Sequence, residues 1–347
     1  MILFHNDYSE GCHERILERM MKTNMEQTPG YGEDAYCASA AAKIRKYCGD
    51  DTLAVHFLVG GTQTNLTVIA AALRPHHGVI GAASAHIHVH ETGAVEAAGH
   101  KVLAVPSVDG KITAQQVAKV VLEQRDSGCE EHMVLPKMVY ISNPTELGTL
   151  YTLEELQSLR QICDQYGLYL FLDGARLGYG LEAEGNDVTL ADIARLCDVF
   201  YIGGTKVGAL FGEAVVIRNS AINEDFRYLI KQRGGMLAKG RLLGLQFDTL
   251  FDEDGLYFKL GARADRLADQ IRATLRDLGV SLLVDSTTNQ IFPILPDAAL
   301  EQLGKEFTFS EQERVDDSHR AVRLCTSWAT TQENTAALCA ALNRILS

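Results

Sequence analysis

Two segments hold residues whose types and spacing point to chemistry. In LFLDGARLGYG (170–180) an apolar run ends in Asp173, followed by Gly and Arg. In DVFYIGGTKVGALFGEAVVI (198–217) a second apolar run ends in a Gly-rich turn carrying Lys206. A carboxylate at the end of a buried strand is costly unless it meets a cationic partner. Open α/β sheets place their ligands at those strand ends. Read alone, Asp173 would equally serve as a helix N-cap and Lys206 as a surface lysine. Their spacing of 33 residues is about one helix-containing crossover, which puts both at one end of a sheet. Desolvation favours the neutral form of a lysine in an apolar turn, and a neutral amine is the nucleophile that imine formation requires.

Pyridoxal phosphate (PLP) chemistry uses this pair. A lysine holds the aldehyde carbon as a Schiff base, and a carboxylate keeps the pyridine nitrogen protonated so that the ring accepts electrons. A phosphate cradle is also required. VGGTQTNLTVIAAAL (59–73) offers one, with Gly61, Thr62 and Gln63 opening a helix whose free N–H groups and dipole favour an anion. Neither a GxGxxG fingerprint nor a Walker loop is present there. A flat group for the ring's open face comes from ASAHIHVHETGA (83–94), which holds His86, His88, His90 and Glu91. On a strand the three histidines would share one face, as metal ligands do. Glu91–Gly93 reads instead as a helix start, and no metal is expected.

Strand signals fall at 54–59, 78–82, 101–105, 137–142, 168–172 and 198–202, with amphipathic helical stretches at 113–125 and 152–166 between them. Thr152, with Glu155 three residues on, is a helix start signal. The alternation predicts an α/β fold with a mostly parallel sheet covered on both faces. Segment 213–217 follows 198–202 so closely that an antiparallel return is expected. After about residue 250 the pattern changes. A long helix (256–278), short strands near 290–295 and 320–326 and a closing helix (331–346) predict a small α/β domain at 251–347 beside a large one at 1–250.

The chain has 347 residues, and 32 Lys and Arg face 45 Asp and Glu, a net charge of −13. That balance argues against nucleic acid or anionic membranes as partners. No apolar run approaches the roughly 20 residues of a membrane helix. The N-terminus lacks the basic head of an export signal, so the eight scattered cysteines read as reduced thiols in a cytoplasm.

With these elements in order, the chain resembles the threonine aldolase and β-eliminating lyase family of fold-type I PLP enzymes over nearly its whole length. NDYSEGCHERILERM (6–20), YGEDAYCASAAAKIRKYCG (31–49), GGTQTN, AHIHVHETGA, NPTELGTLYTLEEL (143–156), DGAR and GGTK carry the likeness. The resemblance implies the aspartate-aminotransferase-like fold. It implies that His86 stacks on the PLP ring, that Asp173 meets its nitrogen and that Thr205 lies beside the Schiff-base Lys206. Arg176 would lie near the ring hydroxyl and the substrate carboxylate. Arg323 in VRLCTSW (322–328) would grip that carboxylate, with Arg320 as the alternative, and Asn6, which with Asp7 matches the N-terminal site segment, would join it there. Some motifs depart from the family pattern. TKVGALF stands where family aldolases have SKGLGAP, RGGMLAKGRLLG (233–244) where they have GGGMRQAG, and Glu146 where they have a histidine. These variants resemble the phenylserine-aldolase-like branch.

The activity so implied is retro-aldol cleavage of an L-β-hydroxy-α-amino acid such as L-threonine to glycine and an aldehyde. His86, Glu91 or a water held by Glu146 would be the base. β-Elimination or transamination of another amino acid is the alternative on the same cofactor, and a non-catalytic PLP module is an alternative of another class. The resemblance also implies a homo-oligomer, dimer or tetramer. The Tyr31–Asp34 loop and residues 231–241, with Arg233 or Lys239, would then reach a neighbour's phosphate site.

Overall fold

The computed structural model describes residues 1–347. Seven strands form the central sheet: β1 (Ala54–Leu58), β2 (His77–Ala82), β3 (Lys101–Val105), β4 (Leu135–Ser142), β5 (Tyr169–Asp173), β6 (Val199–Gly203) and β7 (Glu213–Ile217). Their spatial order is β1-β7-β6-β5-β4-β2-β3. β7 runs antiparallel to both of its neighbours, as its short connection to β6 requires. The remaining pairings are parallel. Every residue of β2, β6 and β7 is buried, which is why these strands read as continuous apolar runs instead of alternating ones. Edge strand β3 is only partly buried and opens on the exposed Lys101, which discourages further pairing.

Helices cover both faces. Gly61–Ala72 (α1) follows β1, and Leu153–Tyr166 (α2) joins β4 to β5. Thr152 and Glu155 form the expected capping box, and the helix ends on Gly167 in the left-handed region at φ 66°. No helix is long and apolar enough to cross a membrane.

The 22-residue helix Leu256–Asp277 (α3) serves two cores. Its first half adds Leu256, Tyr257, Leu260 and Ala264 to the large apolar cluster beneath the sheet. Its second half gives Ala268, Ile271 and Leu275 to a smaller cluster. An antiparallel sheet of Ile294–Pro296, Ser310–Arg314 and His319–Cys325 borders that cluster. The chain's start returns to the same place: Ile2–Leu3 pairs in parallel with Phe307–Thr308, and Phe4 is buried in the smaller cluster. This pairing is what aims residues 5–8 at the end of the large sheet.

Asp265 on α3 is 3 % exposed, and neither of its carboxylate oxygens has a hydrogen-bond partner. Burial pushes its carboxyl up to about 9, against the pull of Arg272 and with the help of Asp269. The folded protein therefore keeps a proton that the unfolded chain releases, and stability falls as pH climbs from about 4 towards about 9. Asp265→Asn removes the charge. Its thermal unfolding temperature should exceed that of the parent near neutral pH and above, with the gap closing towards about pH 4. A gap that does not vary with pH would contradict this origin.

Candidate active site

A cavity of about 350 Å³ opens at the carboxyl ends of the parallel strands, and Lys206, Asp173, His86, Gly61 and Thr62 all line it. Lys206 sits in the turn between β6 and β7. The Tyr179 hydroxyl donates to its carbonyl, and the Tyr257 hydroxyl donates to the Gly203 carbonyl at 3.0 Å. The backbone of the turn is thus fixed while the amine is left without a protein partner; the Tyr8 ring lies 5.9 Å from Nζ. Burial lowers the Lys206 pKa, and Arg176 adds to the effect. Both favour the nucleophilic neutral amine.

Asp173 closes β5 and is 4 % exposed. Four donors meet its carboxylate: the hydroxyls of Tyr140 and Tyr201, the Asn65 amide at 3.2 Å and the Ala175 N–H at 2.9 Å. Burial, then the charge of Asp173, raises both tyrosines well above the usual phenol range, so they remain donors. A Cβ on Gly174 would lie 2.0 Å from the Tyr201 carbonyl, so only glycine lets β5 turn out beside β6 here. The sequence reading missed Tyr140 and Tyr201. Their signal is a hydroxyl inside an otherwise apolar strand, which must find a partner.

His86 opens a helical turn, His86–Val89, so the three histidines do not line one strand face. His88 is exposed, and the His90 ring lies 5.6 Å from that of His86. Two carboxylates fix His86. Glu146 Oε1 accepts its backbone N–H at 2.8 Å and the Ser142 hydroxyl at 2.7 Å. Glu91 Oε1 lies 2.8 Å from Nδ1. With Glu91 as acceptor the proton sits on Nδ1, and Nε2 keeps its lone pair. Glu91 is 5 % exposed and stands behind His86, outside the cavity lining. It is placed to orient the ring and does not reach a substrate proton, which corrects its expected candidacy as base. Glu146 does line the cavity, and burial raises its carboxyl.

The N-terminus of α1 has Gly60 as its cap, with no side chain bonding the first N–H groups. A Cβ on Gly61 would come within 3.1 Å of the Tyr201 hydroxyl. Backbone donors facing an open, glycine-lined space suit a phosphate. Gln63 departs from expectation. Its side chain turns away, accepting from Val59 N–H at 3.3 Å and donating to the Arg233 carbonyl at 3.0 Å. Thr205 donates to Glu213 at 2.9 Å. Glu213, which the sequence reading did not single out, is buried in the cavity wall, where burial pushes its carboxyl up to about 8. A carboxyl raised in this way carries less cost beside a neighbouring anion. A free amine, a carboxylate with four donors, an imidazole and an uncapped helix end are the groups that PLP needs. The residues present fit it.

The arginines separate clearly. Arg176 lines the cavity, but its Nε and Nη2 bond the two oxygens of Asp7 at 2.7 and 3.0 Å. Burial works against the charge of Asp7, yet Arg176 and Lys206 hold its carboxyl down at about 2. That edge of Arg176 is therefore closed to a substrate carboxylate, contrary to expectation. Asn6 is also displaced from that role. It bonds His5, the Tyr8 N–H and Ser9, and does not line the cavity. Arg320 pairs with Asp297 and Glu311 at 2.9 Å each. Arg323 makes no ion pair. It donates to the His5 carbonyl at 3.1 Å and to Gln290 at 3.4 Å, and its buried Nε has no partner. Like Asn6, Arg323 lies outside the cavity lining, and its contact with His5 sets it beside the N-terminal segment that carries Tyr8 to the cavity. Arg323→Ala should cut kcat/KM by about 10- to 100-fold, mainly through KM, as loss of a charged hydrogen bond predicts. Arg320→Ala should stay within about twofold, as exposed pairs contribute little. Steady-state kinetics on both variants decides, and the reverse order would move the carboxylate site.

The Tyr31–Asp34 loop and residues 235–240 meet elsewhere, around a second cavity of about 310 Å³. The Tyr31 N–H bonds the Ala238 carbonyl at 3.3 Å, and Arg227 pairs with Glu33 at 3.2 Å. Neither segment lines the Lys206 cavity of its own chain. Lys239 is exposed, while Arg233 is half-buried.

Comparison with known proteins places this arrangement among relatives. The family model described as beta-eliminating lyase matches residues 6–298. The low specificity L-threonine aldolase of Pseudomonas sp. (strain NCIMB 10558) is 30 % identical over 351 residues, covering 99 % of this chain and 98 % of the relative. That of Pseudomonas aeruginosa is 30 % identical over 303 residues, 86 % of each chain. A solved structure of Leishmania major threonine aldolase superposes with a TM-score of 0.97 at 46 % identity over 100 % of both chains. Thermus thermophilus aspartate aminotransferase, at 17 % identity, covers 99 % of this chain and 91 % of that one with a TM-score of 0.73, a likeness of fold.

Proposed function

The chain belongs to the beta-eliminating lyase family, and we propose that it is a PLP-dependent aldolase that cleaves L-threonine or a similar L-β-hydroxy-α-amino acid to glycine and an aldehyde. The observation that carries the reading is one cavity that gathers Lys206, Asp173 and His86 above an uncapped helix end. Bound there, PLP supplies an aldehyde carbon that takes the amino group and a ring that accepts the electron pair of the broken Cα–Cβ bond. Lys206 would hold that carbon, since its amine is the one in the cavity left free. Asp173 would hold a proton on the ring nitrogen. The first N–H groups of α1 would receive the phosphate. Arg323 holds the substrate carboxylate, which limits rotation about Cα and so selects the bond that breaks. His86, with Nδ1 held by Glu91, offers Nε2 to the β-hydroxyl proton. Glu146 occupies the family's histidine position, but its Oε1 is committed to two donors, so its role here is to hold His86 in place.

All eight cysteines are unpaired, which supports a reducing, cytoplasmic setting. The turned-away Tyr31 loop and 235–240 segment support a homo-oligomer in which they complete a neighbour's site. The functional test is product analysis of the PLP-loaded protein given L-threonine. Glycine and acetaldehyde in equal amounts are expected. A keto acid with ammonia would replace the aldolase reading by β-elimination, and amino-group transfer would replace it by transamination.

A further inference from the structure

Two motifs that the proposed reaction uses at their leading residues meet at their trailing ones. GGTQTN ends in Asn65, and the His86 stretch runs on to Glu91. Asn65 is 0 % exposed on α1. Its Nδ2 lies 2.7 Å from Glu91 Oε1 and 3.2 Å from Asp173 Oδ2. Glu91 bonds only His86 and Asn65, and its Oε2 has no partner. One neutral amide therefore stands between the carboxylate behind His86 and the carboxylate assigned to the ring nitrogen. A primary amide has two N–H donors on one nitrogen, so it serves two acceptors at once. Two buried carboxylates this close repel, and without a shared donor one of them is driven to take a proton. A protonated Glu91 would offer Nδ1–H only a neutral oxygen, a weaker hold than a carboxylate gives. A protonated Asp173 would no longer pair with a cation.

We propose that Asn65 is a positioning residue that keeps Glu91 and Asp173 as acceptors together, and so couples the proton on His86 to the charge at Asp173. The proposal rests on the working roles given to His86 and Asp173 above. Other groups face this chain: Tyr140 from β4 and Tyr201 from β6 bond Asp173, and Glu146 after β4 bonds the His86 N–H. The His90 ring lies 5.6 Å from that of His86, and Lys206 shares the cavity with Asp173. None of them bonds Glu91, so Asn65 is its one fixed donor besides His86.

The test needs no turnover. In the apo-protein, nitrogen NMR of the His86 ring, with exposed His88 as the internal control, reads which ring nitrogen carries the proton. Asn65→Leu removes the shared donor and weakens the contact that holds the proton on Nδ1, so the share of His86 protonated at Nδ1 should fall by about twofold or more. Glu91→Gln should lower it similarly, and the double variant should add nothing further, because both act through one contact. Should Asn65→Leu fail to fold, Asn65→Ser carries the same readout, since one short hydroxyl cannot serve both carboxylates. An unmoved proton distribution in a folded variant, or effects of Asn65 and Glu91 that simply add, would overturn the proposal. Because the readout is a tautomer population, it stands or falls apart from whether glycine is released.

Discussion

Lys206→Ala is expected to give a folded protein with turnover lower by several orders of magnitude, about the loss seen when a covalent catalyst is deleted. The Lys206 amine is the group in the cavity that is free to bond a carbonyl carbon. The fold should persist because the turn is held through backbone groups, the Lys206 and Gly203 carbonyls, which alanine leaves in place. Removing a buried amine also removes a desolvation penalty. Two measurements separate the outcomes. Circular dichroism melts should show a cooperative transition close to that of the parent. Borohydride reduction of the PLP-loaded parent, followed by peptide mass analysis, should place the pyridoxyl group on Lys206. A pyridoxyl group on any other lysine would move the whole site.

Asp173→Asn should be the next most damaging change. Asparagine keeps the shape but turns one acceptor oxygen into a donor NH2. Tyr140, Tyr201 and Asn65 all donate to this side chain, so at least one buried donor loses its acceptor, a loss of about 1–3 kcal/mol in stability. The larger effect is electrostatic. An adjacent carboxylate supports a proton on a cationic partner by about 1–3 pK units. Each unit lost is a factor of about ten in the protonated fraction once the pKa falls below ambient pH, so turnover should drop by about 10- to 1000-fold. PLP should still attach through Lys206, which a binding titration followed by absorbance would show. Near-normal kcat in a variant that holds PLP would mean that another group protonates the ring.

The α/β order, the antiparallel return at 213–217 and the limits of the long helix were all legible in the chain. Strands buried on both faces are apolar throughout, and helix starts such as Thr152 with Glu155 are written within four residues. Lys206 and Asp173 were legible for the same kind of reason. Each ends an apolar run at a glycine, and one crossover separates them. Partner choice was not legible. Arg176 and Asp7 are 169 residues apart in sequence, Asn65 and Asp173 are 108, and both pairs are in hydrogen-bond contact. Arg320 and Arg323 share one strand, yet Asp297 and Glu311 satisfy the first while the second is left without an acid. Gln63 was expected in the cradle from its place after the glycines, but its side chain is drawn to the carbonyl of residue 233. Periodicity and caps act over a few residues and are therefore written in the sequence itself. Which buried donor meets which acceptor depends on the elements that the sheet order brings side by side, and only the folded chain decides that.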